Sequence, residues 1–271
     1  ATRRLAQAQF EAAAAAYAAS RVHAQGGSLA RLVELLRPRP EGRLLDVATG
    51  AGHTALALAP QVGHAVGVDL SPAMLRQAAG LAAERGLSNL DWALAEAGAL
   101  PFAAGSFDLL TCRIAAHHFP DVAAFLAEVG RLLRPGGRLG LVDNVVPGSH
   151  LRGKRGRLLR QAGEYVNAFE RLRDPSHGAC LSQNAWAEAL AAAGLALEHQ
   201  ESQAKEIDFD DWTERMRVPP ADRLRLEVML RQAPPAAANF LAPRFAGRRI
   251  RFQLTEAIFI VRRLDRLPPG R

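Results

Sequence analysis

The sequence predicts an α/β fold, a doubly wound Rossmann-like sheet of about seven strands with helical cap insertions. Short apolar runs alternate with helical patterns between residues 43 and 146, which is typical of a mostly parallel sheet. A glycine turn follows the first of these runs, and an acid ends the second. Two long strand-like runs follow, with no crossover helix directly between them, so we expect the C-terminal strand to be antiparallel. A chain of 271 residues is long enough for such a sheet and its insertions.

The first half of the chain contains the alternating elements. "RLLDVA" and "HAVGVDL" predict the first two strands, and "HTALALAP" predicts a helix between them. Ser71 and Pro72 are typical N-cap and first-turn residues, and Gly86 is a typical residue at a helix end, so together they bound a second helix. "LDWALAE", "SFDLLTCRI" and "RLGLVDNVV" predict the next three strands. A helix over 121–133 is expected to end at "RPGG".

The second half has longer insertions. Residues 151–173 form a basic amphipathic pattern, and "SQNAWAEALAAAGL" predicts a helix that begins after Ser182 and ends at Gly194. "ALEHQESQAKEIDF" and "FQLTEAIFIVRR" predict two antiparallel strands with a proline-broken helical segment between them. We expect four segments: an N-terminal helical lid (1–40), a cofactor-binding core (41–147), a helical substrate cap (148–194) and C-terminal strands with a helical insertion (195–271).

The composition is that of a globular protein with a basic surface. The net charge is +7, but the arginines are scattered, apart from clusters at 152–160 and 248–251. This scatter favours solvated side chains over a nucleic-acid footprint. Two cysteines argue against a disulfide framework. We see no secretory signal and no apolar run near ~20 residues, so we predict a cytoplasmic protein that makes no membrane contact.

The glycine turn predicts a nucleotide-type ligand. Gly50, Gly52 and Ala55 fit the spacing G-x-G-x-x-A, in which glycines let a ligand approach the backbone. This pattern alone is weak, and a turn with no ligand is the alternative. Asp69 ends the second strand about 20 residues further on, where a carboxylate can accept the hydroxyls of a ribose.

Two cofactor classes fit this geometry. A nicotinamide dinucleotide brings a pyrophosphate, which a carboxylate on the first strand would repel. S-adenosylmethionine brings a sulfonium and an ammonium group, which the same carboxylate would attract. Asp46 lies on that strand, four residues before Gly50, and therefore favours S-adenosylmethionine.

Four ordered motifs carry a family resemblance: "LLDVATGAGHTALALA", "VGVDLSPAMLRQA", "AEAGALPFAAGSFDLLTCRIAAHHF" and "EVGRLLRPGGRLGLVD". Over residues 44–146 the chain resembles class I S-adenosylmethionine-dependent methyltransferases. Within them it resembles the branch around the ubiquinone/menaquinone-biosynthesis C-methyltransferases (methyltransferase type 11). The resemblance implies S-adenosylmethionine as cofactor, S-adenosylhomocysteine as product and transfer to a small-molecule acceptor.

The resemblance also implies roles by position. Asp46 with the backbone of Ala48 and Gly50 would hold the methionine part, and Asp69 the ribose. Leu70, Glu96 and Ala97 would contact the adenine. Arg113 would line the mouth shared by cofactor and substrate. The chain departs from the family pattern at Ala48, where a glycine is usual, and at Glu96, where aspartate is frequent.

The N-terminal helical pattern also resembles the family, in which a tyrosine-bearing helix often lies over the cofactor. Tyr17 and His23 share roughly one helical face, so we expect Tyr17 near the cofactor and His23 near the substrate. The alternative is a core tyrosine and a solvated histidine.

His117 and His118 are the candidate catalytic residues, because they follow the fourth strand at the edge where substrate should arrive. An imidazole titrates near ~6.5 and suits a general base, and His117 is slightly favoured. A structural histidine, or catalysis by proximity alone, is the alternative.

Residues beyond the fourth strand are candidates for contact with the acceptor. Arg171, Arg173 and His177 lie in the cap insertion and could bind an acidic group on it. Asp143 and Asn144 end the fifth strand beside the same crevice and are further candidates to line it. A surface role for the arginines is the alternative. We see no metal-ligand spacing and expect no metal.

Competing functions stay open at this point. A nucleic-acid methyltransferase is disfavoured, because "CRIAAHHF" stands where a D/N-P-P-Y/F stretch is usual for amino-directed base methylation. A nicotinamide-dependent oxidoreductase rests on the glycine turn and Asp69 alone, and a cofactor-binding protein without catalysis is a further alternative. The sequence leaves open whether oxygen, carbon or nitrogen is methylated and whether the protein is a homodimer.

Overall fold

The computed structural model describes residues 27–264. The strands in chain order are β1 (Arg43–Val47), β2 (His64–Asp69), β3 (Leu90–Leu94), β4 (Phe107–Arg113), β5 (Leu133–Val145), β6 (Leu195–Asp208), β7 (Arg244–Ala246) and β8 (Arg249–Arg263). The helices are α1 (Gly27–Leu36), α2 (His53–Leu58), α3 (Pro72–Glu84), α4 (Val122–Leu132), α5 (Gly153–Arg173), α6 (Gln183–Ala192), α7 (Phe209–Arg215), α8 (Pro220–Arg231) and α9 (Pro235–Leu241).

The strands of the described residues form one mixed sheet. Its order is β3-β2-β1-β4-β5-β8-β6, with the short β7 paired to β8. Strands β1 to β5 are parallel, whereas β8 runs antiparallel to both β5 and β6. This confirms the predicted Rossmann-like sheet with its antiparallel C-terminal strand. The strand order reverses between β1 and β4, and ligands of such sheets bind at the carboxyl ends of the strands next to this point.

Local capping residues fix several helix starts. The Ser71 hydroxyl accepts a hydrogen bond from the Met74 N–H at 3.2 Å, and Ser182 accepts from the Ala185 N–H at the same distance. These bonds satisfy donors that the first helical turn otherwise leaves unpaired. They confirm both predicted N-caps.

The predicted role of "RPGG" as a helix terminator is wrong. Helix α4 ends at Leu132, and the extended strand begins directly at Leu133, so residues 134–137 belong to β5. The register with β4 shifts at this point, between the pairs that start at Phe107 and at Leu109. The backbone therefore changes to the extended form before the proline, and the residues after Leu133 form an irregularity in the sheet.

Two apolar clusters position the site. One packs the central strands against α4 and α6, and the other lies in the cap around Phe169, Trp212 and Phe252. In the second cluster the Phe169 and Trp212 rings stack at 5.0 Å, and Trp212 meets Phe252 edge-on at 5.0 Å. Because Phe252 belongs to β8, the cap is anchored directly to the sheet. The boundaries of the four predicted segments stay a prediction.

Among residues 27–264 no helix has the length and apolar character needed to span a membrane. Both cysteines, Cys112 and Cys180, are buried free thiols.

Candidate active site

A cavity of about 460 Å³ lies between the carboxyl ends of the parallel strands and the cap. Its strand-tip side is lined by Asp46, Ala48, Thr49, Gly50, Thr54, Asp69, Leu70, Met74, Glu96 and Ala97. Its cap side is lined by Arg113, His117, His118, Asn144, Glu170, Arg173, Asp174, His177, Lys205, Ile207, Trp212, Leu254 and Glu256. Of the predicted site residues, Gly52, Asp143 and Arg171 lie outside this lining. Tyr17 and His23 lie outside the described residues.

The turn after β1 adopts left-handed backbone angles. Ala48, Gly50 and Gly52 have φ values of 53°, 55° and 83°. A side chain at φ > 0 costs roughly 1–2 kcal/mol, which explains why glycine is usual where this chain has Ala48. A Cβ at Gly50 would have open space around it, whereas one at Gly52 would lie 2.8 Å from the Trp92 ring. Gly50 therefore leaves the cavity accessible, and Gly52 allows α2 to pack closely on β3.

Asp69 connects the tip of β2 to the glycine turn. Its carboxylate accepts hydrogen bonds from the Gly50 N–H at 2.8 Å and the Ser71 N–H at 2.9 Å. Burial raises the pKa of Asp69, although these backbone donors act in the opposite direction. The carboxylate is thus fixed in position at the cavity wall, and each oxygen retains a lone pair for a ligand hydroxyl.

Asp46 is a buried acid beneath the same turn, with 1% of its surface exposed. Its two oxygens accept hydrogen bonds from the Thr49 hydroxyl at 2.6 Å and the Thr111 hydroxyl at 2.7 Å. Burial outweighs these bonds and raises the pKa of Asp46 to about 6. A cation beside this carboxylate would therefore be favoured, since it stabilises the charged form.

His117 and Asp143 form a buried dyad. The His117 Nδ1 lies 2.6 Å from the Asp143 Oδ1, and the His117 backbone N–H donates to Oδ2 at 2.9 Å. Burial alone would lower the pKa of His117, but the Asp143 charge and hydrogen bond outweigh it and raise the pKa. With Nδ1 held by the carboxylate, Nε2 is the ring atom that remains to take a proton. Asp143 is 0% exposed, so it orients His117 and does not line the cavity.

His118 and His177, which border the same cavity, are neutral near pH 7. Burial and the neighbouring His117 lower the pKa of His118 to about 4, and its Nδ1 lies 3.1 Å from both the carbonyl and the hydroxyl of Ser176. Burial, followed by the charge at His117, lowers the pKa of His177 to about 2. The His177 Nε2 donates to the Asn167 side-chain oxygen at 2.9 Å.

The predicted arginines have structural partners. The Arg171 guanidinium donates to the backbone carbonyls of His177 and Gly178, which places it around the cap loop and outside the cavity lining. Arg173 lines the cavity, but its Nε donates to the Trp212 carbonyl at 3.1 Å and its guanidinium lies 4.7 Å from the Trp212 ring centre.

The cap loop, residues 174–180, holds the backbone of the candidate base. The N–H groups of Gly178 and Ala179 both donate to the His117 carbonyl, at 2.9 and 3.1 Å. A Cβ at Gly178 would lie 2.9 Å from that same oxygen, so only glycine permits this approach.

Sequence reasoning missed several charged residues of the lining, among them Glu170, Lys205 and Glu256. Glu256 carried a signal, because it is a lone acid directly before the apolar run "AIFIV". Glu170 and Lys205 stand in polar surroundings in the sequence and carried none.

Similarity to known proteins shows which family the chain belongs to. Residues 45–141 match the profile of the family described as "Methyltransferase domain". "Uncharacterized methyltransferase YcgJ" of Bacillus subtilis is 38% identical over 214 residues, which span 79% of this chain and 80% of that relative. The chain belongs to the class I S-adenosylmethionine-dependent methyltransferases.

Solved and curated relatives agree with this methyltransferase assignment. The crystal structure of YcgJ superposes with a TM-score of 0.81 at 33% identity and covers 88% of this chain and 99% of that one. A nocamycin O-methyltransferase of Saccharothrix syringae is 43% identical over 122 residues, 44% of each chain. A demethylmenaquinone methyltransferase of Deinococcus radiodurans is 41% identical over 140 residues, 51% of this chain and 57% of the relative.

Within residues 27–264 no group of three or more histidine, cysteine or acidic side chains is arranged to hold a metal ion.

Proposed function

We propose that this methyltransferase binds S-adenosylmethionine along the tips of β1 to β3 and transfers its methyl group to a small molecule on the cap side. The lining fits this cofactor, because three carboxylates, Asp46, Asp69 and Glu96, border the strand-tip side. Their negative charge suits a cationic nucleoside and would repel a pyrophosphate. Asp69 would accept the ribose hydroxyls, Asp46 would favour the ammonium, and Glu96 would accept from the adenine amino group.

The neighbouring lining residues would complete this pocket. Leu70 and Ala97 would pack against the adenine, and Ala48 and Gly50 would offer backbone groups to the methionine part. Arg113 lines the cavity where its two sides meet, and its Nε donates to the Thr54 hydroxyl at 3.0 Å. Tyr17 and His23 keep their predicted roles near the cofactor and the substrate.

The His117–Asp143 dyad carries the mechanistic part of the proposal. S-adenosylmethionine supplies an electrophilic methyl group when it is bound. An acceptor atom that must lose a proton before methylation would give that proton to the His117 Nε2, while Asp143 stabilises the resulting imidazolium. The raised pKa of His117 makes the ring a stronger base than a free histidine. His118, with its pKa near 4, is a weaker second candidate.

The cap excludes water from this step. Trp212 and Leu254 border the cavity on the acceptor side, and Trp212 is held by the stacked Phe169 ring. These apolar side chains would strengthen the electrostatic effects of the dyad and keep water from competing with the acceptor.

Calorimetric titration with S-adenosylmethionine tests the cofactor site. Asp69→Ala should weaken cofactor binding by about 1–3 kcal/mol, because it leaves ribose hydroxyls without an acceptor. Asp91→Ala is a matched control, since Asp91 is an exposed acid on the neighbouring strand β3. An unchanged dissociation constant for Asp69→Ala would place the ribose elsewhere. Binding to tRNA or DNA that falls steeply with salt would instead favour a nucleic-acid acceptor.

A further inference from the structure

The start of α5 carries a surface patch, residues 151–160, that has no role in the reaction proposed above. Half of its residues are cations, and no acidic residue lies between Asp143 and Glu164 in the sequence. All the cations are exposed, namely Arg152, Lys154, Arg155, Arg157 and Arg160. None of them forms an ion pair with another residue in the part of the chain that the structure describes. The 151–160 patch is therefore a concentrated positive surface.

These charges do not stabilise the helix that carries them. Helix α5 begins at Gly153 with no acidic residue in its first turn and no side-chain N-cap. Positive charge in the first turn of a helix opposes the helix dipole. Lys154, Arg157 and Arg160 also follow one another at intervals of three residues, where side chains are neighbours and like charges repel. The cluster therefore works against folding, and an anionic partner would relieve that repulsion.

Two exposed leucines lie among the cations. Leu151 is 50% exposed and Leu158 is 46% exposed. The segment that contains Leu151 is held against the start of α5, because the Arg160 guanidinium donates to the Leu151 carbonyl at 3.0 Å and to the Ser149 carbonyl at 2.9 Å. A Cβ at Gly156 would lie 1.9 Å from the same Leu151 oxygen. Both leucines therefore lie at one end of the helix, within the same basic surface.

The combination of cations and leucines selects among anionic partners. Single-stranded nucleic acid stacks its bases on aromatic rings, and the 151–160 patch contains none. Duplex phosphates could pair with the arginines, but the leucines would then face a hydrated backbone. A second copy of the chain that paired through the same patch would bring positive charge against positive charge. An anionic lipid surface offers headgroups to the cations and an acyl boundary to the leucines.

We propose that the 151–160 patch docks the protein on anionic lipid membranes, with its cations at the headgroups and Leu151 and Leu158 at the acyl boundary. This surface goes beyond the proposed function, and it replaces the expectation of no membrane contact. Leu158 and Glu170 are roughly 18 Å apart along α5, at ~1.5 Å per residue. Because Glu170 borders the cavity, the docking surface lies apart from the cofactor site on the same helix.

Cosedimentation of the whole protein with vesicles tests this surface. Vesicles of phosphatidylglycerol and phosphatidylcholine in equal parts should bind at least tenfold more tightly than vesicles of phosphatidylcholine alone, and high salt should weaken that binding. Arg155→Gln/Arg157→Gln should weaken it about twentyfold, since each cation near such a surface contributes about fivefold. Leu151→Ala/Leu158→Ala should weaken it about fivefold or more, because less apolar surface leaves water.

Matched pairs of exposed residues elsewhere serve as controls. Arg76→Gln/Arg85→Gln removes the same charge, and Leu94→Ala/Leu224→Ala removes the same apolar groups. Both control variants should bind anionic vesicles as the wild-type protein does. The midpoint of thermal unfolding shows whether each variant is folded.

Three results would overturn the docking surface. The first is equal binding of the wild-type protein to both kinds of vesicle, or binding to neither, a comparison that depends on no variant. The second is vesicle binding within twofold of wild type in either patch variant. The third is tRNA that displaces the protein from vesicles and loses its own affinity in Arg155→Gln/Arg157→Gln, which would assign the patch to nucleic acid. Vesicle binding needs no cofactor, so it stands or fails independently of the titration with S-adenosylmethionine.

Discussion

Replacing Asp143 with asparagine tests the proposed base most directly. The introduced amide keeps the shape of the side chain, but it presents an N–H group to the ring atom that the carboxylate holds at 2.6 Å in the native protein. That contact would favour the tautomer with its proton on Nε2, so His117 could no longer accept a proton from the acceptor. General-base catalysis contributes about 10²–10⁴-fold, so we expect kcat to fall by about 100-fold or more, or at least ~3 kcal/mol in the barrier.

The pH profile of Asp143→Asn adds a second, independent readout. The native carboxylate outweighs the effect of burial and raises the pKa of His117 above 6.5. Without it, only the charges of Glu170 and Asp174 still act against burial, so the pKa of His117 should fall. The acidic limb of kcat/KM, where the base becomes protonated, should therefore move to lower pH even as the maximum rate decreases. Cofactor affinity should not change, because Asp143 does not border the cavity.

The assay is S-adenosylhomocysteine production across pH 5–9 with an acceptor identified by screening small molecules for turnover. The control is the double variant His117→Ala/Asp143→Asn, which should be no slower than His117→Ala alone, because Asp143 acts through the ring. Native turnover in Asp143→Asn, or rate losses that simply add in the double variant, would refute the dyad as the base.

Two further predictions follow from the cavity wall. The affinity for S-adenosylmethionine should rise about tenfold between pH 5 and pH 7.5, because the pKa of Asp46 is about 6 and the cofactor's positive charge favours the ionised carboxylate. Calorimetry should show this rise, and the Asp46→Asn variant should lose it. An equal pH dependence in that variant would assign the rise to another group. Gly178→Ala should lower kcat at least tenfold with little effect on cofactor affinity, because the added Cβ would lie 2.9 Å from the His117 carbonyl. Gly86→Ala is a control for glycine replacement at a positive-φ turn with open space around it, and equal turnover in all three proteins would show that the loop does not position the base.

The sheet was predictable because its signals are local. Apolar runs of strand length, the capping hydroxyls of Ser71 and Ser182 and the glycine turn each depend on neighbours within a few residues. The strand-tip side of the cavity followed from the same signals, since parallel strands place Asp46, Asp69 and Glu96 at one edge. "RPGG" failed as a terminator because pairing with β4 favours the extended chain from Leu133 onward.

The cap side was less predictable because it depends on how distant segments meet. Asp143 was expected among the substrate-lining residues, but the register of β5 places its carboxylate behind His117. Arg171 was expected to face the acceptor, but the loop that follows it turns back and takes its guanidinium. Glu256 on β8 and Lys205 on β6 lie 51 residues apart in the sequence. The place of Glu256 on the cavity wall could therefore be recognised only once these two strands are paired.

The two N–H bonds from the cap loop to the His117 carbonyl limit how the enzyme can be redesigned. Grafting a foreign cap to broaden acceptor scope would remove these two hydrogen bonds to the proposed base along with the old pocket. Chimeras should therefore exchange the helices on either side and transplant residues 174–180 unchanged, so that new selectivity does not come with a misaligned imidazole.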